Sequence, residues 1–207
     1  MARNKTNKAW IQEHVTDAYV KRAQAEGYRS RAAYKLQQIA ARDKLLRPGM
    51  TVVDLGAAPG GWSQIAARAV TPGGRVLALD ALDMMPVHGV TFIRGDFHQD
   101  QVLAELEQLL AGAAVDLVLS DLAPNISGVA GVDQARAVGL AELALDFAVK
   151  HLKPQGDFLV KLFHGEGFDP FVKALRGHFG QVLTRKPEAS RSRSSEVYLL
   201  GRGLKSR

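Results

Sequence analysis

Apolar residues along the chain fall into short β-branched runs that alternate with longer segments of helical periodicity. The short runs predict seven strands, namely one beginning at Thr51, then Arg75–Leu79, Val90–Arg94, Val115–Ser120, Asp157–Phe163, Gln181–Lys186 and Glu196–Leu200. The longer segments predict helices over Val15–Ala25, Arg31–Arg42, Ser63–Val70, Gln99–Leu110 and Gln134–Leu152, with a last one from Asp169-Pro170 to His178. Strands that alternate with helices predict an α/β fold with a mostly parallel sheet.

The segments between these elements predict the direction of the last strand, two helix caps and one flexible loop. About nine residues join the last two strands, which suits a hairpin, so the final strand is predicted to be antiparallel. Ser30 is expected to cap the helix that starts at Arg31, and Asp169 to cap the helix that Pro170 begins. The segment Gly128–Gly131 is predicted to be a flexible loop that can close over a substrate.

The stretch Thr51–Ser63 combines a buried strand, a glycine-rich turn and the start of a helix, as in α/β nucleotide sites. Ala58 stands where a dinucleotide fingerprint needs its second glycine, which argues against a pyrophosphate ligand. The turn suits a nucleoside with a compact tail, such as S-adenosylmethionine (SAM). An ordinary turn without a ligand explains these residues equally well when they are considered alone.

Carboxylates follow three of the predicted strands. Asp80 ends the second strand, 26 residues after Asp54, where an acidic residue can hold ribose hydroxyls. Asp96 follows the third strand and Asp121 the fourth. Each could be a turn or cap residue, but carboxylates at consecutive strand ends favour a nucleoside pocket.

Two lysines have unusual settings. Lys161 interrupts an apolar run in a strand that should be covered on both faces, where lysine is rare without a partner or a task. A surface lysine on a half-exposed strand is the alternative. Lys35 borders the apolar stripe of its helix, and that helix alone favours a lysine that extends its ammonium to the surface.

Composition narrows the class of protein. The 207 residues suffice for one domain, and the absence of cysteine excludes disulfides and thiolate chemistry. The polar N-terminus is not signal-like, which favours a cytoplasmic protein. We expect a single domain over residues 1–207, with flexible basic tails at about 1–10 and 203–207.

The net charge of +6 is concentrated at the two ends of the chain. Residues 1–49 contain 11 Lys and Arg against 4 acidic residues, and residues 181–207 contain 7 against 2, whereas residues 50–180 contain 9 against 15. If both ends fold onto one side of the sheet, they would form a phosphate-binding face; solvated tails are the alternative. Arg191 and Arg193 lie in a Ser/Arg-rich link typical of a nucleic-acid contact.

The sequence closely resembles the FtsJ/RrmJ-type ribosomal RNA large-subunit 2′-O-ribose methyltransferases over nearly its whole length. The matching stretches are Ser30–Leu36, Asp54–Ser63, Ser120–Asn125, Val160–Phe163, Gly165–Phe168 and Arg191–Tyr198. The resemblance implies a Rossmann-like SAM-dependent methyltransferase fold, with a seven-stranded, mostly parallel sheet, an antiparallel last strand and helices on both faces. It also implies that the enzyme methylates the ribose of a uridine in 23S ribosomal RNA, on the assembled 50S subunit.

The same resemblance assigns roles to individual residues. It implies a catalytic tetrad, with Lys161 as the proton acceptor, formed by Lys35, Asp121, Lys161 and Glu196. It implies that SAM is held by Gly60, Trp62, Asp80, Asp96 and Asp121. No metal is expected, and the basic ends favour a monomer held by RNA.

Other classes of function remain as alternatives. A non-catalytic RNA-binding assembly factor could keep this fold, although an intact tetrad argues against it. An NAD-dependent dehydrogenase is opposed by Ala58, and a methyltransferase of proteins or small molecules by the basic ends. Lys161 could accept the substrate proton or stay protonated and steer the hydroxyl, and the sequence does not choose between these roles.

Overall fold

The computed structural model describes residues 17–191 and 194–206. Over this part of the chain the helices are α1 (Ala18–Ala25), α2 (Ala32–Asp43), α3 (Gly61–Val70), α4 (Asp100–Leu110), α5 (Ala130–His151) and α6 (Phe168–His178). The strands are β1 (Thr51–Leu55), β2 (Arg75–Asp80), β3 (Val90–Arg94), β4 (Val115–Ser120), β5 (Leu152–Phe163), β6 (Phe179–Arg185) and β7 (Glu196–Leu204). The expected N-terminal tail, Arg193 and Arg207 lie outside the described residues.

The seven strands form one sheet in the order β3-β2-β1-β4-β5-β7-β6. The pairs β1–β2, β2–β3, β1–β4 and β4–β5 are parallel, and β7 runs antiparallel to both β5 and β6. The predicted parallel sheet with an antiparallel last strand is therefore confirmed. Because the chain changes direction across the sheet between β1 and β4, the carboxyl ends of these strands flank a crevice.

Helices cover both faces of the sheet, as predicted. On one face, α2 and α3 bury side chains such as Leu36 and Trp62 against β1, β4 and β7. On the other, α4, α5 and α6 bury side chains such as Leu106, Phe147 and Phe171. Strands covered on both faces explain the continuous apolar runs of the sequence.

At three of the helix starts, a predicted cap or loop differs from the structure. Helix α2 begins at Ala32 and the buried Ser30 hydroxyl has no hydrogen-bond partner among the described residues, so Ser30 is not the cap. Helix α6 begins at Phe168 after Gly167, which places Asp169 inside the first turn rather than at the cap. Helix α5 already contains Gly131, and the Asp133 carboxylate in its first turn accepts the Ser127 and Gly128 N–H groups at 2.8 and 3.0 Å. The predicted flexible loop is thus partly helical and bonded.

The boundary between α5 and β5 also lies elsewhere than predicted. The helix ends at His151 and the strand begins at Leu152, which pairs with Val115. The pairing register then shifts, so that Leu117 faces Asp157. A bulge therefore accommodates Pro154 and Gly156 inside a strand that sequence alone started at Asp157.

The C-terminal end of the described chain belongs to the sheet rather than to a tail. Gly203 and Leu204 are part of β7, and the Lys205 N–H donates to the His178 carbonyl at 2.9 Å. The prediction of a flexible tail at 203–207 is therefore wrong for Gly203, Leu204 and Lys205. Among residues 17–191 and 194–206, no helix is long and apolar enough to cross a membrane.

Gly56 allows the turn after β1 to approach the chain that follows β4. Its φ is +76°, and a Cβ atom there would lie 2.8 Å from the Leu122 amide nitrogen. That distance is shorter than real contacts allow, and the obstacle is backbone that cannot rotate away. Glycine at this position therefore permits the two loops to meet at the edge of the sheet.

We expect Gly56→Ala to lower the free energy of unfolding by about 2–4 kcal/mol. Alanine is strained in the left-handed conformation of this position, and its Cβ atom would clash with the Leu122 backbone. Gly131→Ala is the matched control, since no atom lies within 4 Å of a Cβ in that helical position. Urea unfolding of both variants measures the difference. A Gly56→Ala protein as stable as the control would contradict this account.

Candidate active site

A cavity of about 790 Å³ opens at the carboxyl edge of the parallel strands. Its wall includes the three carboxylates that follow β2, β3 and β4, and one lysine of β5. They are Asp80, Asp96, Asp121 and Lys161. The structure thus brings these four sequence-predicted residues together, in a cleft that also includes Gly56 and Ala58 of the glycine turn.

Asp80 ties the glycine turn to the loop after β2. One carboxylate oxygen accepts the Ala58 N–H at 2.9 Å, and the other accepts the Leu82 N–H at 2.8 Å. Asp96 accepts the His98 N–H at 3.0 Å, and this bond, together with the His98 ring, lowers the pKa of Asp96. Both carboxylates are anchored by hydrogen bonds from backbone N–H groups, which favours fixed geometry.

Gly60 and Trp62 do not line this cavity. Gly60 precedes α3 with φ +109°, and Trp62 is 3% exposed. The indole N–H of Trp62 donates to the Ala32 carbonyl at 2.8 Å, and its ring belongs to the core between α2, α3 and the sheet. Their expected contacts with SAM remain predictions, and the Trp62 ring packs against the ring of Tyr198.

Arg29 is a residue that sequence reasoning missed. Its guanidinium donates to the Pro59 carbonyl at 3.2 Å and to the Pro86 carbonyl at 2.6 Å, and it also bonds the Met85 carbonyl. The arginine thereby fastens the glycine turn to the loop after β2. No local motif predicts such a contact, because its partners are backbone groups more than 25 residues away.

The Lys161 side chain is 8% exposed and points to the end of β4. Its ammonium nitrogen lies 2.7 Å from the Asp121 carbonyl oxygen and 3.0 Å from Asp121 Oδ1. The alternative of a surface lysine is therefore excluded. Asp121 is the partner expected for a lysine in an apolar strand, because two of its oxygens hold the buried ammonium.

Lys35 and Glu196 form a second ion pair, with 2.7 Å between Nζ and Oε1. The side chains are 14% and 11% exposed, so Lys35 does not reach the open surface as its helix alone suggested. The Ser190 hydroxyl donates to the same Glu196 oxygen at 3.0 Å. Burial raises the pKa of Glu196, but the Lys35 ammonium, the Lys161 charge and the Ser190 hydrogen bond together outweigh it and the net shift is downward.

Tyr198 lies between the two ion pairs and was not singled out by the sequence analysis. In the β5–β7 register it stands opposite Lys161, two residues after Glu196. Its hydroxyl donates to Asp121 Oδ1 at 3.2 Å. The alternation of side chains along β7 puts Glu196 and Tyr198 on one face, but only the strand register shows that Lys161 shares it.

Asp54 is a fully buried carboxyl in β1. The Ser63 hydroxyl donates to its Oδ2 at 2.6 Å, and Oδ1 has no partner among the described residues. Burial raises the pKa of Asp54 to about 7, the charges of Asp121 and Asp80 add to this, and the Ser63 hydrogen bond opposes it. The carboxyl therefore titrates near neutral pH, inside the core and behind the glycine turn.

The sheet order, the glycine turn at its edge and the carboxylate-lined cleft together define a Rossmann-like methyltransferase fold. The FtsJ-like methyltransferase family model matches residues 28–204, and the chain belongs to this family. The protein is therefore a methyltransferase, an enzyme that requires a methyl donor. Among the described residues, no group of three or more His, Cys, Asp or Glu side chains could hold a metal ion.

Similar proteins cover the chain almost completely. A ribosomal RNA large subunit methyltransferase E from Azoarcus sp. (strain BH72) is 67% identical over 205 residues, 99% of this chain and 100% of that protein. The protein of the same name from Chromobacterium violaceum is 61% identical over 203 residues, 98% of this chain and 99% of that protein. The crystal structure of a Plasmodium falciparum protein described as a ribosomal RNA methyltransferase superposes with a TM-score of 0.78 at 28% identity, covering 87% of this chain and 100% of that chain.

The buried Asp54 carboxyl predicts a pH dependence of stability. Its pKa is raised on folding, so the folded state favours the protonated form and stability falls as pH rises from about 4 to about 7. Asp54→Asn keeps an acceptor for Ser63 and has no charge to bury. We expect this variant to gain stability relative to the unmodified protein as pH rises, with the gain levelling off above pH 7.

Urea unfolding at pH 5, 6, 7 and 8 measures this difference. Asp43→Asn is the contrasting variant, because the Arg185 hydrogen bond lowers the pKa of Asp43 and loss of that carboxylate should destabilise near neutral pH. An Asp54→Asn gain that stayed constant between pH 5 and 8 would show that this carboxyl does not titrate in that range.

Proposed function

We propose that the protein transfers a methyl group from SAM to the ribose 2′-hydroxyl of a uridine in 23S ribosomal RNA, on the assembled 50S subunit. The observation that carries this proposal is the Lys161 ammonium held against Asp121 at the edge of the cavity, with a second ion pair beside it. The names of the similar proteins point to large-subunit ribosomal RNA as substrate. Action on ribosomal subunits implies a cytoplasmic protein.

The cavity fits SAM as the methyl donor. Asp80 and Asp96 offer acceptors at the ends of β2 and β3, where ribose hydroxyls and an adenine amino group could be held. The glycine turn allows close approach of a ligand to backbone, and Asp121 adds a carboxylate on the opposite side. When bound, SAM would supply a methyl group on a positively charged sulfur.

The acceptor hydroxyl needs a group that takes its proton. A ribose hydroxyl is a poor nucleophile until the proton leaves, and an uncharged amine can accept it as a general base. Lys161 is the amine within the cavity wall, and the two oxygens of Asp121 orient it. Lys35 and Glu196 place a second pair of charges close by, and the Lys35 ammonium lowers the pKa of Glu196.

The parts of the two basic ends that the structure describes contact each other, which supports an RNA-binding face. Arg31 at the start of α2 bonds Asp17 and the Ala189 carbonyl, and Arg191 lies 3.7 Å from the same Asp17 carboxylate. On the same side of the sheet, Arg185 of β6 pairs with Asp43 at the end of α2. The N-terminal helices therefore contact the link between β6 and β7, and a phosphate backbone could be held along this junction.

We expect Lys161→Ala to abolish methyl transfer while leaving SAM affinity within about twofold, because the lysine acts on the acceptor rather than on the donor. The assay uses labelled SAM and large ribosomal subunits from cells that lack this protein, with free ribosomal RNA alongside. Label in an alkali-resistant dinucleotide identifies the ribose 2′-oxygen. Lys173→Ala, an exposed lysine on α6, is the matched control.

Loss of SAM binding in Lys161→Ala would make this lysine a structural residue instead. If the unmodified protein bound SAM but no RNA acquired label, the substrate assignment would fail. The function would then be that of a non-catalytic RNA-binding assembly factor.

We expect Asp80→Ala to weaken SAM binding by at least roughly tenfold, because a ligand-facing acceptor and the anchor of the glycine turn are both lost. Asp80→Asn removes the negative charge but keeps one acceptor oxygen, so it distinguishes the effect of the charge from that of the hydrogen bond. Asp83→Ala is the control, since Asp83 lies in the same loop and does not line the cavity. Isothermal titration with SAM measures all three, and normal affinity in Asp80→Ala would remove Asp80 from the pocket.

A further inference from the structure

Tyr198 occupies the space between the two ion pairs of the active site. Its side chain is completely buried, in register with Lys161 on the neighbouring strand. The Lys35 ammonium lies 5.8 Å from the centroid of its ring. One aromatic side chain therefore touches both halves of the site.

Contact with the Trp62 ring fixes the position of the Tyr198 ring. Its centroid lies 5.5 Å from that of Trp62, with the planes inclined by 42°. Trp62 is itself held by the hydrogen bond from its indole N–H to the Ala32 carbonyl at 2.8 Å. Packing against the Trp62 ring thus holds the Tyr198 hydroxyl in place at the active site, with little freedom to move.

The hydroxyl of Tyr198 and the ammonium of Lys161 share one acceptor. Asp121 Oδ1 lies 3.2 Å from the hydroxyl oxygen and 3.0 Å from Lys161 Nζ. Burial first, and then the nearby carboxylates of Asp121 and Glu196, raise the pKa of Tyr198 well above its ordinary value. The phenol therefore keeps its proton and acts as a donor.

We propose that Tyr198 is a positioning residue, whose hydroxyl bonds Asp121 Oδ1 and thereby limits how strongly that carboxylate holds the Lys161 ammonium. This role rests on the proposed function, in which Lys161 accepts a proton from the ribose hydroxyl. A hydrogen bond to a carboxylate oxygen disperses part of its charge. Without it, Asp121 attracts the ammonium more strongly, and the lysine gives up its proton less readily. An amine that stays protonated cannot accept the proton of the ribose hydroxyl.

The other charged groups around Lys161 do not change between variants. Asp121 faces it from the end of β4, Glu196 from β7 and Lys35 from α2. Tyr198→Phe removes only the hydroxyl and leaves these charges and the ring packing in place. The difference between the two proteins therefore reports the hydrogen bonds of the Tyr198 hydroxyl, to Asp121 and to the neighbouring Glu196 carboxylate.

The test compares Tyr198→Phe with Tyr34→Phe in the full-length protein. Tyr34 is the matched control, since it is 1% exposed and its hydroxyl also bonds a carboxylate, Glu26, at 2.9 Å, away from the cavity. For Tyr198→Phe we expect kcat near neutral pH to fall roughly tenfold, with SAM affinity and KM for the ribosomal subunit within about twofold. We also expect the midpoint of the kcat–pH profile to move to higher pH, which a loss of packing alone would not cause.

A second readout needs no substrate. Acetic anhydride acylates neutral amines, and peptide mass spectrometry follows the labelling of Lys161 relative to the exposed Lys173. We expect Lys161 to react several-fold more slowly in Tyr198→Phe than in the unmodified protein and in Tyr34→Phe.

Equal labelling rates together with an unmoved pH midpoint would overturn the role of Tyr198. The same changes in Tyr34→Phe would overturn it too, since they would reflect the loss of any buried phenol. If the unmodified protein failed to methylate ribosomal RNA, the proposed function would fall, and the acylation rates would still decide whether Tyr198 governs Lys161.

Discussion

The active site depends on one physical constraint: a lysine ammonium within an apolar strand must be held by oxygen atoms. Lys161 satisfies it with the carbonyl and one carboxylate oxygen of Asp121, the residue that directly follows the adjacent parallel strand. Removal of an ion from water costs several kcal/mol, which only close and well-oriented partners offset. The β4–β5 pairing therefore sets the geometry of the Lys161–Asp121 contact, and in the proposed reaction the position at which an acceptor hydroxyl arrives.

The reversed strand β7 adds what a purely parallel sheet would not supply. Running antiparallel to β5, it brings its first residues, Glu196 and Tyr198, to the carboxyl edge of the other strands. Glu196 then meets Lys35, which α2 contributes from the opposite end of the chain. A change of strand direction thus completes a cluster whose members are separated by up to 161 residues.

The two sides of the cleft are built by different means. On the side assigned to the donor, backbone turns and anchored carboxylates predominate, as in Gly56 with Leu122 and Asp80 with Ala58. On the side assigned to the acceptor, charged side chains form two ion pairs that lie next to the packed rings of Tyr198 and Trp62. This division suits an activated donor that needs only to be positioned, and an acceptor that needs a proton removed.

The sequence alone determined the α/β class, the seven strands, the reversed last strand and the carboxylates at the strand ends, because hydrophobic periodicity and turn residues are local signals. Its resemblance to a known family also indicated the four charged residues of the tetrad. Only the tertiary structure decided that Lys35 is buried against Glu196, that Arg29 fastens two loops and that Tyr198 shares an acceptor with Lys161. Such contacts depend on strand register and helix packing, which join residues far apart in the chain. They produce no periodic pattern of apolar and polar residues from which they could be predicted.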